Sequence, residues 1–273
     1  MAYSKIIVAD MIVEPLIESQ GLFGIATNRS FDSLVKQGAS SVDIPDLAVP
    51  VVKTTGTTST HADRKDTHDD ATMVNIPLTV KAVPLSNKIL GQFESEGFIA
   101  KQYLGLATKA FEQYFDTRVI TAAQGGTQTA FLGSELAWDD ITGIKKRMDI
   151  NKVPQSDRYM VVDANLYTEF FGLENVKMAM AYQRDYMAKG IIPELLGFKV
   201  YNSGLVPTVA GGDAGAHTNI TAWYGPGLAF VLNHFGEVKE VYDEENLKDV
   251  TDILAYSGDK LLKTAFAEVI YKP

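Results

Sequence analysis

The sequence predicts an α+β fold, on three observations. Strand-period runs flank the polar stretch Lys53 to Asp70, a proline-free helical run extends from Glu94 to Gln124, and short strands and helices mix along the second half. The chain has 273 residues, 46% hydrophobic and 22% charged, a composition with ample apolar material for a folded core. A net charge of −9 and a pI near 5.0 argue against a protein that grips nucleic acid through clustered Lys and Arg. Cysteine is absent, so disulfides, thiolate nucleophiles and cysteine-ligated metals are excluded together.

The N-terminal stretch MAYSKIIVADMIVEPLIE is apolar in flavour, but Asp10 and Glu14 interrupt it and no small-residue cleavage site follows. No signal peptide is expected, and no run of about 18 apolar residues predicts a membrane helix. The sequons at Asn28 and Asn219 are accordingly expected to stay unmodified.

In SVDIPDLAVPVVK, Val42 and Ile44, then Leu47, Val49 and Val51, recur at the two-residue period of a strand. After the polar run, Val74, Ile76, Leu78, Val80 and Ala82 form one face of a second strand. Prolines at 45, 50, 77 and 84 cannot donate ladder hydrogen bonds, which suits the edges of a two-stranded ribbon. At about 3.3 Å per residue, Val42 to Lys53 reaches roughly 40 Å, against a radius of gyration of about 18 Å for a compact chain of this length. The ribbon is therefore expected to project. Its apolar face would be a liability in water, so it is expected to dock on another subunit.

The polar run KTTGTTSTHADRKDTHDD holds two of the chain's four histidines. His61, Asp63, Asp66, His68, Asp69 and Asp70 are metal-type ligands, but their spacing matches no ligand motif. A solvated hairpin tip is the expectation.

From Glu94 to Gln124, Ile99, Tyr103, Leu106, Ala110, Tyr114 and Thr117 recur at helical spacing and predict a long helix, with Gly125 and Gly126 as stops. A helix over Asp139 to Lys152, a strand at RYMVVD and a helix from Ala164 to Phe171 follow. GFKVYNS and TNITAWYG are strands bracketing the glycine-rich GLVPTVAGGDAGAH. The acidic EVKEVYDEENLKDVTD is read as a solvated face, since its acids lack calcium-loop spacing, and LLKTAFAEVIY closes the chain.

No catalytic, cofactor-binding or metal-ligating residues are assigned. His217 and His234 lack an accompanying Ser and Asp pattern, AGGDAGAH lacks the strand-loop-helix frame of a phosphate cradle, and Ser33 to Lys36 lacks the companions of its motif. The protein is expected not to be an enzyme.

Two segments carry a resemblance. VPQSDRYMVVDANLYTEFFG, Val153 to Gly172, and KGIIPELLGFKVYNSGLVP, Lys189 to Pro207, place Arg158, Tyr159, Asp163, Gly190, Gly197, Phe198, Val200, Tyr201, Ser203 and Pro207 in a diffuse pattern. That pattern, with the order ribbon, long helix, mixed α/β region, resembles the major capsid proteins of tailed bacteriophages, which share the Hong Kong 97-type fold. The resemblance implies an N-terminal arm at 1–37, an E-loop hairpin at 38–86, a peripheral domain with a spine helix at 87–133 and 245–273, and an axial domain at 134–244. It implies self-assembly into pentamers and hexamers of an icosahedral shell around the viral genome, in a virion assembled in the host cytoplasm.

Implied partners are copies of itself, a separate scaffolding protein, a portal and cement proteins. Packaged DNA would be held without sequence-specific binding, and neither a membrane nor a cofactor is involved. A separate scaffold is implied because the ribbon begins about forty residues in, which leaves no room for the scaffolding segment of many relatives. Subunit-interface candidates are Val49, Val51, Lys53, Arg64, Lys65, Val74, Ile76 and Leu78. Some relatives crosslink an E-loop lysine, for which Lys53 or Lys65 would stand here, but no local pattern favours it. Two alternatives are an encapsulin-like nanocompartment shell and a metal-dependent hydrolase using His61 and His68.

Overall fold

The computed structural model describes residues 21–34, 40–45, 73–86, 97–181, 192, 194–210, 216–232, 237–243 and 248–273. The polar run, with His61 and His68, lies outside them, as do Val49, Val51, Lys53, Arg64, Lys65 and His234.

In chain order the elements begin with a short helix α1 (Leu22–Ile25), then β1 (Ser41–Pro45), β2 (Met73–Pro77) and β3 (Thr79–Ser86). The long helix α2 (Gly97–Ala123) leads to β4 (Thr127–Ala130), α3 (Trp138–Ile150), β5 (Arg158–Asp163), α4 (Ala164–Gly172) and α5 (Glu174–Ala181). Short β6 (Glu194–Leu195) and β7 (Phe198–Ser203) precede β8 (Val209–Ala210), β9 (Ala216–His217) and β10 (Asn219–Tyr224). The chain closes with β11 (Leu228–Leu232), β12 (Glu237–Asp243), β13 (Lys248–Leu261) and β14 (Ala267–Tyr271).

A six-stranded sheet in the order β4-β14-β10-β5-β7-β6 forms the body. The alternation of RYMVVD sorts its side chains between two cores. Tyr159 and Val161 join α2 on one face, while Met160 and Val162 join Ile141, Ile144 and Met148 of α3 and Leu166 and Phe170 of α4 on the other. Burial on both faces explains why every residue of β5 is enclosed. Arg158 sits at the start of that strand, 1% exposed, with Nη2 2.7 Å from Asp149 Oδ1 and Nη2 and Nε donating to the carbonyls of Val153 and Pro154. The Asp149 carboxylate and the two carbonyls offset the cost of burying this guanidinium, whose Nη1 has no hydrogen-bond partner, and it pins the end of α3 to β5. The tight turn Leu196–Gly197, with φ of 54° and 84°, joins β6 to β7.

At 27 residues, α2 is about 40 Å long. Its buried stripe is Ala107, Phe111, Phe115, Val119, Ile120 and Ala123. Of the positions that reveal the helical spacing, Leu106 is 61% exposed and Ala110 is also exposed. The two phenylalanines choose the face because an aromatic ring carries far more apolar area than Leu106 or Ala110 can offer. Phe115 packs edge-on between Phe23 and Phe230, at ring centroids of 5.4 and 5.6 Å. The helix stops at the expected glycines, and Gly126 has a packing reason to be glycine: a Cβ there would stand 2.3 Å from the Ala267 carbonyl oxygen. β14 can pass the helix end only because that atom is missing.

The last strand is thereby an inner strand of the body sheet. β4 and β14 come from the segments 87–133 and 245–273, and they share one sheet with β5, β7 and β10 from 134–244. Buried polar groups seal this junction: Gln124 Nε2 and Asn219 Nδ2 both donate to the Pro207 carbonyl, at 2.7 and 2.8 Å, and Thr221 Oγ1 donates to Asn219 Oδ1 at 2.9 Å.

A second sheet is built around the fourteen-residue β13. One edge of β13 pairs with β3 along Val250–Ser257, and the other with β12 along Lys248–Leu254 and β11 along Ser257–Leu261. The acidic segment read as a solvated face thus forms β12 and the start of β13, two arms of a hairpin. β11 is buried along its whole length. Leu228, Phe230 and Leu232 face α2, and Ala229 and Val231 face Val42, Ile44 and Ile76 of the ribbon.

Candidate functional site

The ribbon's base is a regular antiparallel ladder of β1 and β2, with Ser41 opposite Pro77 and Pro45 opposite Met73. Its two faces differ. Val42, Ile44 and Ile76 are buried against β11, with Phe31, Leu78 and Leu262 closing the cluster. Asp43, Met73, Asn75 and Pro77 are exposed, and Asn75 Nδ2 donates to Asp43 Oδ1 at 2.6 Å across the ladder. Residues 46–72 leave and return at the Pro45–Met73 end.

The structure separates the interface candidates. Ile76 is 0% exposed within its own subunit, so no surface of it is left for a neighbour. Val74 and Leu78 are half-buried, and Leu78 packs on the same internal cluster. The apolar face of the ribbon base has therefore found its partner in the same chain. The single strand expected from Val74 to Ala82 is two: β2 ends at Pro77, and β3 pairs with β13 instead of β1. Sequence period cannot register that change, because side chains keep alternating through it.

A strap, residues 21–34, crosses the junction between the two sheets. Phe23 N–H donates to Asp116 Oδ1 of α2 at 3.0 Å. Tyr159 Oη donates to the Ile25 carbonyl at 2.7 Å, and Trp223 Nε1 to the Ala26 carbonyl at 2.8 Å. Asn28 and β11 exchange backbone hydrogen bonds, with Asn28 N–H donating to Leu228 and Phe230 N–H to Asn28. Leu232 N–H then donates to Asp32 Oδ1 at 3.0 Å. The strap thus holds the long helix, the body sheet and the second sheet together.

Charged side chains sit at these joints. Burial pushes the Asp116 carboxyl up to about 6, against the opposing pull of the Phe23 and Leu22 N–H groups, with Glu112 adding to the rise. Arg118 pairs with Asp259 and joins α2 to β13, while Arg147 pairs with Glu268 at 2.7 Å and joins α3 to β14. Both carboxyls are raised by burial and lowered in part by their arginines. Among the described residues, no group of three or more His, Asp or Glu is arranged to hold a metal ion, and no helix is long and apolar enough to cross a membrane. His217 packs against the Tyr271 ring at a centroid distance of 5.4 Å.

Sequence reasoning missed the apolar surfaces that the subunit presents. Leu132 is 80% exposed, Ile150 66%, Met73 64% and Met178 56%. Leu132 and Ile150 line a cleft of about 520 Å³ between α3 and the β4–β14 edge, with Thr142, Lys146 and Ile270. A helical hydrophobic pattern shows which residues are apolar, whereas their exposure depends on packing from distant segments.

No protein-family model matches the chain, and neither does any curated protein. Solved structures do. A structure described as Mycobacterium phage Che8 is 18% identical, with a TM-score of 0.61 over 92% of this chain and 91% of that one. The capsid structure of the cyanophage P-SCSP1u is 15% identical, with a TM-score of 0.53 over 90% of this chain and 84% of that one. The virus-like particle from Pyrococcus furiosus is 12% identical, with a TM-score of 0.52 over 96% of this chain and 97% of that one. The chain has the Hong Kong 97-type fold of phage capsid subunits.

Proposed function

We propose that this chain is the subunit of a closed shell, a major capsid protein rather than an enzyme. The observation that carries the reading is the fold agreement with phage and virus-like particle chains across nine-tenths or more of this sequence. Pentamers and hexamers of this one chain tile an icosahedral particle, and identical subunits make such repeated contacts through defined faces. In this reading residues 1–37 form the arm, 38–86 the E-loop, 87–133 and 245–273 the peripheral domain and 134–244 the axial domain. The body sheet crosses the last two and makes them one rigid tile.

The interface candidates narrow accordingly. Val49, Val51, Lys53, Arg64 and Lys65, on the segment beyond the ribbon base, contact neighbouring subunits, and exposed Met73 continues that surface. Leu132 and Ile150 supply a second apolar contact. Fully burying a Leu or Ile is worth about 1.5–3 kcal/mol before ordering costs, enough for a few such residues to decide association. A genome-filled virion, assembled in the host cytoplasm with a separate scaffold, a portal and cement proteins, completes the account. The acidic chain lines DNA without gripping it, since tight phosphate neutralisation needs clustered cations.

The test is the mass and shape of the purified chain by light scattering and negative-stain microscopy. Closed particles of megadalton mass are expected. A second reading, an encapsulin-like compartment, is favoured by the end-to-end agreement with the Pyrococcus furiosus particle. Co-purified protein cargo in place of nucleic acid would select it.

A further inference from the structure

Between β3 and β2 the chain changes sheets, and the place where it does so is marked by a glycine on the opposite strand. β3 follows the edge of β13 until Thr79 stands opposite Ser257. The next residue of β13, Gly258, has no β3 partner. Leu78 N–H instead donates to the Ser40 carbonyl at 2.9 Å, and Pro77 enters the ladder with Ser41. The chain has stepped off the edge and onto the face of the sheet.

Gly258 is buried, and it pairs on its other side with Val231 of β11. A Cβ at Gly258 would stand 2.9 Å from Ile76 Cγ2, 2.9 Å from the Pro77 carbonyl oxygen and 3.1 Å from Leu78 Cδ2. These are the residues of the crossover. One contact is to backbone, which cannot rotate away as a side-chain tip does. The ribbon base lies flat on β11 because position 258 presents no side chain. Ile76 then fills the space, fully buried beside Ala229 and Val231.

We infer that Gly258 is a positioning residue that sets the direction in which the ribbon leaves the subunit, and through it the geometry of shell closure. This inference rests on the proposed shell function. Glycine weakens a strand interior, so its place inside a fourteen-residue strand is a cost that the crossover accounts for. Any side chain there lifts Pro77 and Ile76, tilts the β1–β2 ladder about its base and carries residues 46–72 with it.

The experiment uses the full chain, whose lack of cysteine allows spin labels to be placed at will. Labels at Met73→Cys on the ribbon and Lys260→Cys on β13, both exposed, report the ribbon direction as a distance distribution in unassembled protein. The distribution is expected to be narrow without further change, and shifted or broadened by Gly258→Ala. Closed particles seen by negative stain are expected to be lost or misshapen with Gly258→Ala. They are expected to persist with Ile76→Val, which trims the same packing without lifting the backbone. A broad distribution with glycine at 258 overturns the inference whether or not Gly258→Ala folds. So do an unshifted distribution, normal particles from a shifted Gly258→Ala, and equal loss of particles with Ile76→Val. A narrow distribution that shifts with Gly258→Ala in a chain that forms no particles leaves the ribbon geometry standing and refutes the shell reading.

Discussion

The body sheet and the second sheet use similar residues and solve different problems. The body sheet is covered on one face by α2 and on the other by α3 and α4. The second sheet is covered by α2 on one face only, and the ribbon base, a separate two-stranded ladder, covers the other. One is closed by helices, with α2 ahead of its first strand and α3 and α4 following β4 and β5. The other is closed on its second face by strands and not by a helix. The difference teaches that the body core and the ribbon base meet at β11, where a single apolar strand serves both cores.

The largest effect should come from the junction itself. Phe115→Ala removes the ring between Phe23 and Phe230 and is expected to cost about 3–5 kcal/mol, read as a lowered denaturation midpoint with signals from both sheets falling together. Separate transitions would break the comparison by showing two independent units. Ile76→Ala should cost about 2–5 kcal/mol, and hydrogen exchange should locate the loss in β1, β2 and β11 while β5 keeps its protection. Equal loss of protection in β5 would mean that the ribbon is part of the body.

Proton binding sharpens the strap's role. Asp116 has a folded-state value near 6, above the ordinary carboxylate range, so its contribution is present at low pH and lost as pH rises through about 6. Asp259 and Glu268 are raised by burial and act in the same direction. Asp116→Asn mimics the protonated form, so its melting temperature relative to the unsubstituted chain should rise between pH 5 and pH 7.5. A difference independent of pH would remove Asp116 as the sensitive group.

The smallest effect concerns the end of α3. Lys152 N–H donates to the Asp149 carbonyl and Val153 N–H to Met148, a helix stop with exposed Lys152 at φ 56°, the position glycine favours. Lys152→Gly should therefore stabilise by about 0.5–1 kcal/mol, a small rise in melting temperature, without altering either sheet.

Much of the body was legible in sequence. RYMVVD, GFKVYNS and TNITAWYG alternate or run apolar as covered strands do, Asp163 caps α4 by accepting from Asn165 N–H at 2.7 Å, and the glycines at 125 and 126 end α2. The arm's base was half legible. The ladder of Val42 and Ile44 with Val74 and Ile76 follows the period, but its docking on β11 rests on Gly258, 182 positions after Ile76 and silent in any local pattern. The buried face of α2 was not legible, because Tyr114 and Leu106 are as apolar as a local rule requires, and only the distant rings of Phe23 and Phe230 select Phe115. The hairpin of β12 and β13 was not legible because Glu237, Glu240, Asp243, Asp249 and Asp252 interrupt the apolar alternation by which a strand is read.

The most direct measurement is sedimentation velocity, run side by side on the full chain and on a chain whose residues 46–72 are replaced by a short Gly-Ser turn. The full chain should form particles of megadalton mass, and the shortened one should remain small while its thermal unfolding is unchanged. Assembly of both into the same particles, or of neither, would contradict the division between tile and arm.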